Sequence, residues 1–321
     1  MSSRGRIVTF VALAAAIASG AVVAGVLGTR GHVPGTPDPR SGHPPLVLAF
    51  GVRVDAEVRA LERADRLYRE KRYDAAGRIF GRYRSLEGRV GAALVHWPGG
   101  TLSRLQDLRA EHPRSALVAL HAGLALYWAR QDDDAIAAWR AAARNQPDTP
   151  YAVRAGDFLH PRYAPGLPPF VPSFEPSRRI RVLPGPQQFA ALRDEAARGG
   201  AHAKILYGTA LQRVGRPVSA ERQFAAAARV APADPEARVA AAVGLFDKGK
   251  PERAFGRLGP LTRVFADAQT VRFHLGLLLV WSAQVDEARN QLRLAQSEDP
   301  QSPLGREAAR YLGALKAIGT R

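Results

Sequence analysis

The chain has 321 residues, 46% of them hydrophobic, enough for one or two packed domains or one elongated array. It has no cysteine, which excludes a disulfide framework, a thiolate nucleophile and a cysteine-ligated zinc. Its formal charge of +17 is almost all arginine, because only Lys71, Lys204, Lys248, Lys250 and Lys316 are lysines, and it favours weak, salt-dependent contact with acidic or phosphate-rich surfaces.

Residues 7–28, IVTFVALAAAIASGAVVAGVLG, carry no charged side chain. At ~1.5 Å per residue such a run spans a hydrocarbon layer of ~30 Å as a helix. Arg4 and Arg6 precede it and the first acid is Asp38, so residues 1–6 are expected in the cytoplasm and the rest outside it. An uncleaved single-pass membrane anchor is the favoured reading. A signal peptide cleaved near Ala18-Ser19-Gly20, leaving a secreted chain, is the rival. Ala12, Ala16, Gly20, Ala24 and Gly28 form a small-residue stripe through which two such helices could form a homodimer, although a segment this rich in Ala and Gly can carry a stripe by chance. Residues 29–45 are rich in Pro and Gly and read as a poorly ordered tether.

The remainder repeats with a period of 34. Gly208, Ala242 and Gly276 fall in one row, Ala220, Ala254 and Ala288 in a second, and Phe224, Leu258 and Leu292 in a third. Gly123, Ala135, Trp139 and Pro147 keep the same internal spacing earlier in the chain. The phase shift between the two sets falls in 161–185, too proline-dense for helix. Apolar spacing of three and four marks amphipathic helices on either side of each turn, with Gly123 expected against Ala135 where two helices meet.

These rows resemble the tetratricopeptide repeat (TPR) family, a helix–turn–helix unit with small residues at unit positions 8 and 20, an aromatic or Leu at 24 and Pro at 32. Units 116–149, 201–234, 235–268 and 269–302 fit; an earlier unit starts near Glu57, a degenerate one covers 84–115, and the unit starting at Pro150 carries the insertion. The resemblance implies an all-α, right-handed superhelical solenoid. Its expected parts are N-terminal units over 46–160, the Pro-rich insertion 161–185, C-terminal units over 186–302 and a capping helix over 303–318. Lys204, Arg238 and Arg272 depart from the usual apolar position 4, and Leu261 stands where Ala is usual.

Catalytic signatures are weak. GLFDKGKP at 244–251 approximates a P-loop, but Pro251 replaces the magnesium-binding hydroxyl and Gly244 lies within a helical pattern, so it reads as an inter-helix turn. There is no HExxH and no G-x-S-x-G, and Asp132–Asp134 suits a helix start better than a calcium loop. His121 and His274 share one unit position, which favours packing or groove lining over metal binding. No enzyme activity, cofactor or metal is expected.

In the family, certain first-helix positions line a concave partner-binding face. Carried over, the candidates are Leu124, Tyr127 and Trp128; His202, Gln212 and Arg213; Phe246 and Asp247; and Phe273, Leu277 and Trp281. Leu120, Ile205, Val239 and Phe273 depart from the Lys, Asn and Arg pattern that clamps acidic chaperone tails. The apolar face suits a protein or peptide segment, with Trp128 and Trp281 as anchors. The same residues could instead pack on neighbouring helices or on the insertion, which carries Phe170, Phe174 and Arg178-Arg179-Ile180-Arg181 and either folds back into the groove as a plug or forms a separate basic contact loop. The expected function is a membrane-tethered extracytoplasmic scaffold. A polyanion-binding module is the alternative, with nucleic acid not the expected partner, and a noncatalytic subunit of an envelope biogenesis or export complex is a further one.

Overall fold

The computed structural model describes residues 39–318 and is all-helical there. Seven helices precede the Pro-rich insertion: α1 (Ala56–Arg69), α2 (Tyr73–Phe80), α3 (Leu86–Leu94), α4 (Thr101–Glu111), α5 (Ala116–Trp128), α6 (Asp132–Asn145) and α7 (Pro150–Leu159). The rest are α8 (Arg178–Arg181), α9 (Gly185–Arg198), α10 (Ala201–Arg213), α11 (Pro217–Val230), α12 (Pro235–Gly244), α13 (Glu252–Leu258), α14 (Leu261–Val264), α15 (Gln269–Trp281), α16 (Val285–Glu298) and α17 (Pro303–Ile318).

Consecutive helices pack as hairpins, most extensively α5 on α6, α10 on α11 and α15 on α16. The architecture is TPR-like. Local signals set the boundaries. The Asp55 and Ser115 side chains accept from the backbone N–H groups of Val58 and Val118, capping α1 and α5. Proline, whose missing N–H costs nothing in a first turn, opens α7, α11, α12 and α17.

Each hairpin closes over a small residue. A Cβ on Gly208 would lie 2.4 Å from the Phe224 ring, one on Gly123 2.5 Å from Trp139 and 3.1 Å from the Ala135 carbonyl, and one on Gly276 2.8 Å from Leu292. The repeated glycine row is thus where two helix backbones approach and a large position-24 side chain lies across the gap. Gly208→Val is expected to destabilise the chain by about 1–3 kcal/mol through overpacking, read from the urea midpoint at unchanged slope. The inter-helix turns place Arg130 at φ 65° and Ala283 at φ 58°. Relieving that left-handed strain, Ala283→Gly is expected to stabilise by about 1 kcal/mol in the same assay.

Three features differ from the sequence expectation. The second helix of 235–268 is two short helices, α13 and α14, because Pro260 lacks the N–H that would continue the ladder. Within the insertion, one helical turn, α8, forms and buries Ile180. The expected tether 29–45 is, from Arg40 onward, packed against the helices, with Pro44 and Leu46 buried. The run 7–28 and its small-residue stripe lie outside the described residues, among which no helix is long and apolar enough to cross a membrane.

The insertion divides the array. Helix α7 packs on α5 and α6, α9 packs on α8 and α10, and no hairpin joins α7 to α9. Two main cores follow: one gathers Leu46 with α1–α7, the other gathers Phe170 with residues of α10–α15. They meet through polar contacts. Asp148 accepts from Arg216 Nε at 2.7 Å and from the Ser219 amide at 2.9 Å. Asp157, on α7, pairs with the buried Lys248 and with Arg154 and accepts from the Gly166 amide at 2.8 Å.

Candidate binding grooves

The first helices of successive units share one face, and an extended segment lies across it in each half. Over the N-terminal face run residues 40–50. The Arg40 amide donates to the Trp128 carbonyl at 2.7 Å. Its guanidinium sits 3.4 Å over the Tyr127 ring, bonds the Tyr127 carbonyl, and reaches both Asp132 oxygens at 3.0 and 3.1 Å. His43 stacks on Tyr73 at 3.6 Å, and the Tyr68 hydroxyl donates to the Pro44 carbonyl at 2.6 Å. The Val47 amide donates to His121 Nε2 at 3.0 Å, and the Tyr151 hydroxyl meets both the amide and the carbonyl of Ala49 at 3.2 Å.

Residues 164–174 do the same over α10, α12 and α15. The Ala164 amide donates to the Trp281 carbonyl at 3.1 Å, and the Trp281 indole N–H donates to the Pro165 carbonyl at 3.2 Å. The Phe170 amide donates to Gln212 Oε1 at 2.9 Å, and the Val171 amide to His274 Nε2 at 2.9 Å. Phe170 stacks on His274 at 4.5 Å and Phe174 on His202 at 4.1 Å.

Both histidines work as main-chain acceptors for one reason. His121 and His274 sit one helical turn beyond Leu117 and Thr270, whose carbonyls lie 2.8 and 2.7 Å from Nδ1. Satisfying Nδ1–H there fixes the neutral tautomer and turns the Nε2 lone pair toward the groove. Full burial pushes both imidazoles down to about 4. Glu236, buried beside Ser173 and Thr270, is pushed the other way, up to about 7.

The candidate residues fall into three groups. Tyr127, Trp128, His202, Gln212 and Trp281 touch the extended segments directly. Leu124, Phe246, Phe273 and Leu277 are buried in the cores. Arg213 is exposed, beside a cavity that Phe174 and Phe189 also line, and Asp247 accepts from the Gly249 amide at 2.8 Å in the turn after α12. That turn is the P-loop-like stretch, and its Lys248 is committed to Asp157. Among the described residues no group of three or more His, Asp or Glu is placed to hold a metal ion.

The sequence reading left open whether the insertion fills a groove; what it missed is that 40–50 fills one too, and that the two segments match. RSGHPPLVLAF (40–50) and APGLPPFVPSF (164–174) align without a gap and share Gly42/Gly166, Pro44/Pro168, Pro45/Pro169, Val47/Val171 and Phe50/Phe174. Both glycines have positive φ, 78° and 73°. Pro44 and Leu46, like Pro168 and Phe170, are buried while the residues between them are less so, the two-residue alternation of an extended chain.

No protein-family model matches the chain, and none of the curated proteins does. Solved structures similar to it include YrrB, described as a TPR protein with an unusual peptide-binding site (14% identity, 64% of this chain and 97% of that one, TM-score 0.31). A tetratricopeptide repeat protein from Parabacteroides merdae is similar at 12% identity over 81% of this chain and 98% of that one, with a TM-score of 0.32. The TPR2AB domain of yeast Sti1, solved in complex with pHSP90, is similar at 13% identity over 83% of this chain and 98% of that one, with a TM-score of 0.28. At these scores the likenesses add nothing to the architecture, which stands on the hairpins, the glycine row and the shared first-helix face.

Proposed function

We propose that this chain is a non-catalytic, TPR-like scaffold that binds a protein or peptide partner on the faces of its first helices. In the same reading, residues 7–28 hold it at a membrane with the helical array outside the cytoplasm. The observation that carries the binding part is that each face already receives an extended main chain through outward-facing acceptors, the His121 and His274 imidazoles and the Trp128 and Trp281 carbonyls. Such groups are indifferent to most side chains of the segment they hold, as peptide grooves require.

The test is affinity capture with the full chain from detergent-solubilised envelope, comparing wild type with Trp128→Ala/Trp281→Ala at low and high salt. A discrete protein retained at high salt and reduced at least ten-fold by the double substitution is the expected result, the size of two aromatic anchors. Capture that disappears with salt regardless of the tryptophans would assign the function to the +17 charge and sink the scaffold reading. Protease digestion of the array in sealed, right-side-out vesicles tests its placement; protection of the array contradicts it.

A further inference from the structure

The two extended segments differ at six of eleven positions yet bind their faces in the same register. The amide of the shared valine reaches a histidine in each, and the amide seven residues earlier reaches a tryptophan carbonyl. Recognition therefore rests on main-chain donors, a left-handed glycine, a buried proline and a buried Leu or Phe. The grooves read a motif, and tolerate substitution between its fixed points.

The two grooves differ at the tryptophan that closes each one. The Trp128 indole N–H is buried with no hydrogen-bond partner, whereas its counterpart on Trp281 donates to the Pro165 carbonyl. A buried, unpaired donor is destabilising, and a segment presenting a carbonyl at that point removes the cost.

Building on the scaffold reading above, we propose that the groove of α1, α5 and α7 is a binding site for an extended segment of the form Gly-x-Pro-Pro-(Leu/Phe)-Val supplied by a partner protein. Residues 40–50 occupy it in cis and keep it closed until such a segment displaces them. A proline-rich segment is suited to this exchange, because it is extended before binding and loses little freedom on docking. The tethered segment has the advantage of high effective concentration, so an outside segment succeeds by abundance or by completing the Trp128 bond.

The experiment uses the full chain in a non-denaturing detergent and a fluorescein-labelled peptide, RSGHPPLVLAF, read by anisotropy. Val47→Pro in the chain removes the N–H that His121 accepts while leaving every groove residue in place. Leu46→Ala is a second way to loosen the same segment, and circular dichroism checks that both keep their helices. Each loosened chain is expected to bind the peptide about ten-fold or more tightly than wild type, the effect of one hydrogen bond or one buried side chain. A peptide with Pro in place of its Val is expected to bind at least ten-fold more weakly. Failure of the peptide to bind both loosened chains, and wild type titrated to saturation-level peptide, overturns the proposal, as does equal binding of a scrambled peptide. Tryptophan-dependent capture of a partner alongside no peptide binding would leave the scaffold reading standing and remove this one. Peptide binding with no tryptophan-dependent capture would support this site and remove the broader reading.

Discussion

Lowering the pH from 7 to 4 is expected to cost about 3 kcal/mol of stability through His121, His274 and Glu236 taken together, with that loss roughly doubled in Glu236→Gln. His121 and His274 are fully buried, with pKa lowered from 6.5 to about 4 by desolvation. Across that window the unfolded chain binds more protons, so stability falls as the pH falls, by about 3 kcal/mol for each imidazole. Glu236 acts with the opposite sign. Its pKa is raised from 4.5 to about 7, so the fold holds a proton that the unfolded chain lacks, and stability rises by about 3 kcal/mol as the pH falls through the same range. Two terms against one leave a net loss, and removing Glu236's titration exposes both. Urea midpoints at half-unit steps of pH check this. A flat profile in both chains would mean that the imidazoles are not the buried acceptors described. Protonation also removes the Nε2 lone pair, so the same titration is expected to release the two segments.

Asp157→Ala is expected to destabilise by about 3–5 kcal/mol, and Asp157→Ala/Lys248→Met to recover much of that. The Lys248 side chain is 4% exposed and pairs with Asp157 at the join of the two halves. The single substitution strands a buried ammonium and the Gly166 amide; the double one strands only the amide. Calorimetric melting distinguishes the cases, and equal losses in the two variants would contradict the pairing. Because Gly166 is the turn glycine of the second extended segment, this contact also fixes where that segment enters its groove.

The helical units were legible because their constraints are local and repeat together. A small residue must sit where two helix axes cross, a large one must lie over it, and Gly208 with Phe224 or Gly276 with Leu292 satisfies both at one spacing. The histidines were half legible: sharing a unit position pointed to groove lining, while the atom that each accepts from lay elsewhere in the chain. The extended segments were partly legible: a groove-filling insertion was one of two open readings, whereas 40–45 was read as tether, since an extended chain on a groove has no helical period and a Pro/Gly-rich composition is equally that of a loose tether. Their signal was the internal match of GHPPLV with GLPPFV, visible only when the parts outside the helices are compared with each other. The Lys248–Asp157 pair, 91 residues apart and off the repeat, had no sequence signature. The division of 235–268 into α13 and α14 did, in Gly259-Pro260, and the strength of the repeat rows masked it.

Both first-helix faces are filled by the chain's own extended segments, each held by an amide-to-imidazole bond. Hydrogen exchange of the full chain at pH 7, resolved to single residues, tests it most directly. The Val47 and Val171 amides are expected to exchange at least ten-fold more slowly than that of Ser41, which has no such partner, since a buried hydrogen bond must open first. Exchange of Val47 and Val171 at the rate of an unstructured loop, with α5 and α15 still protected, would contradict it.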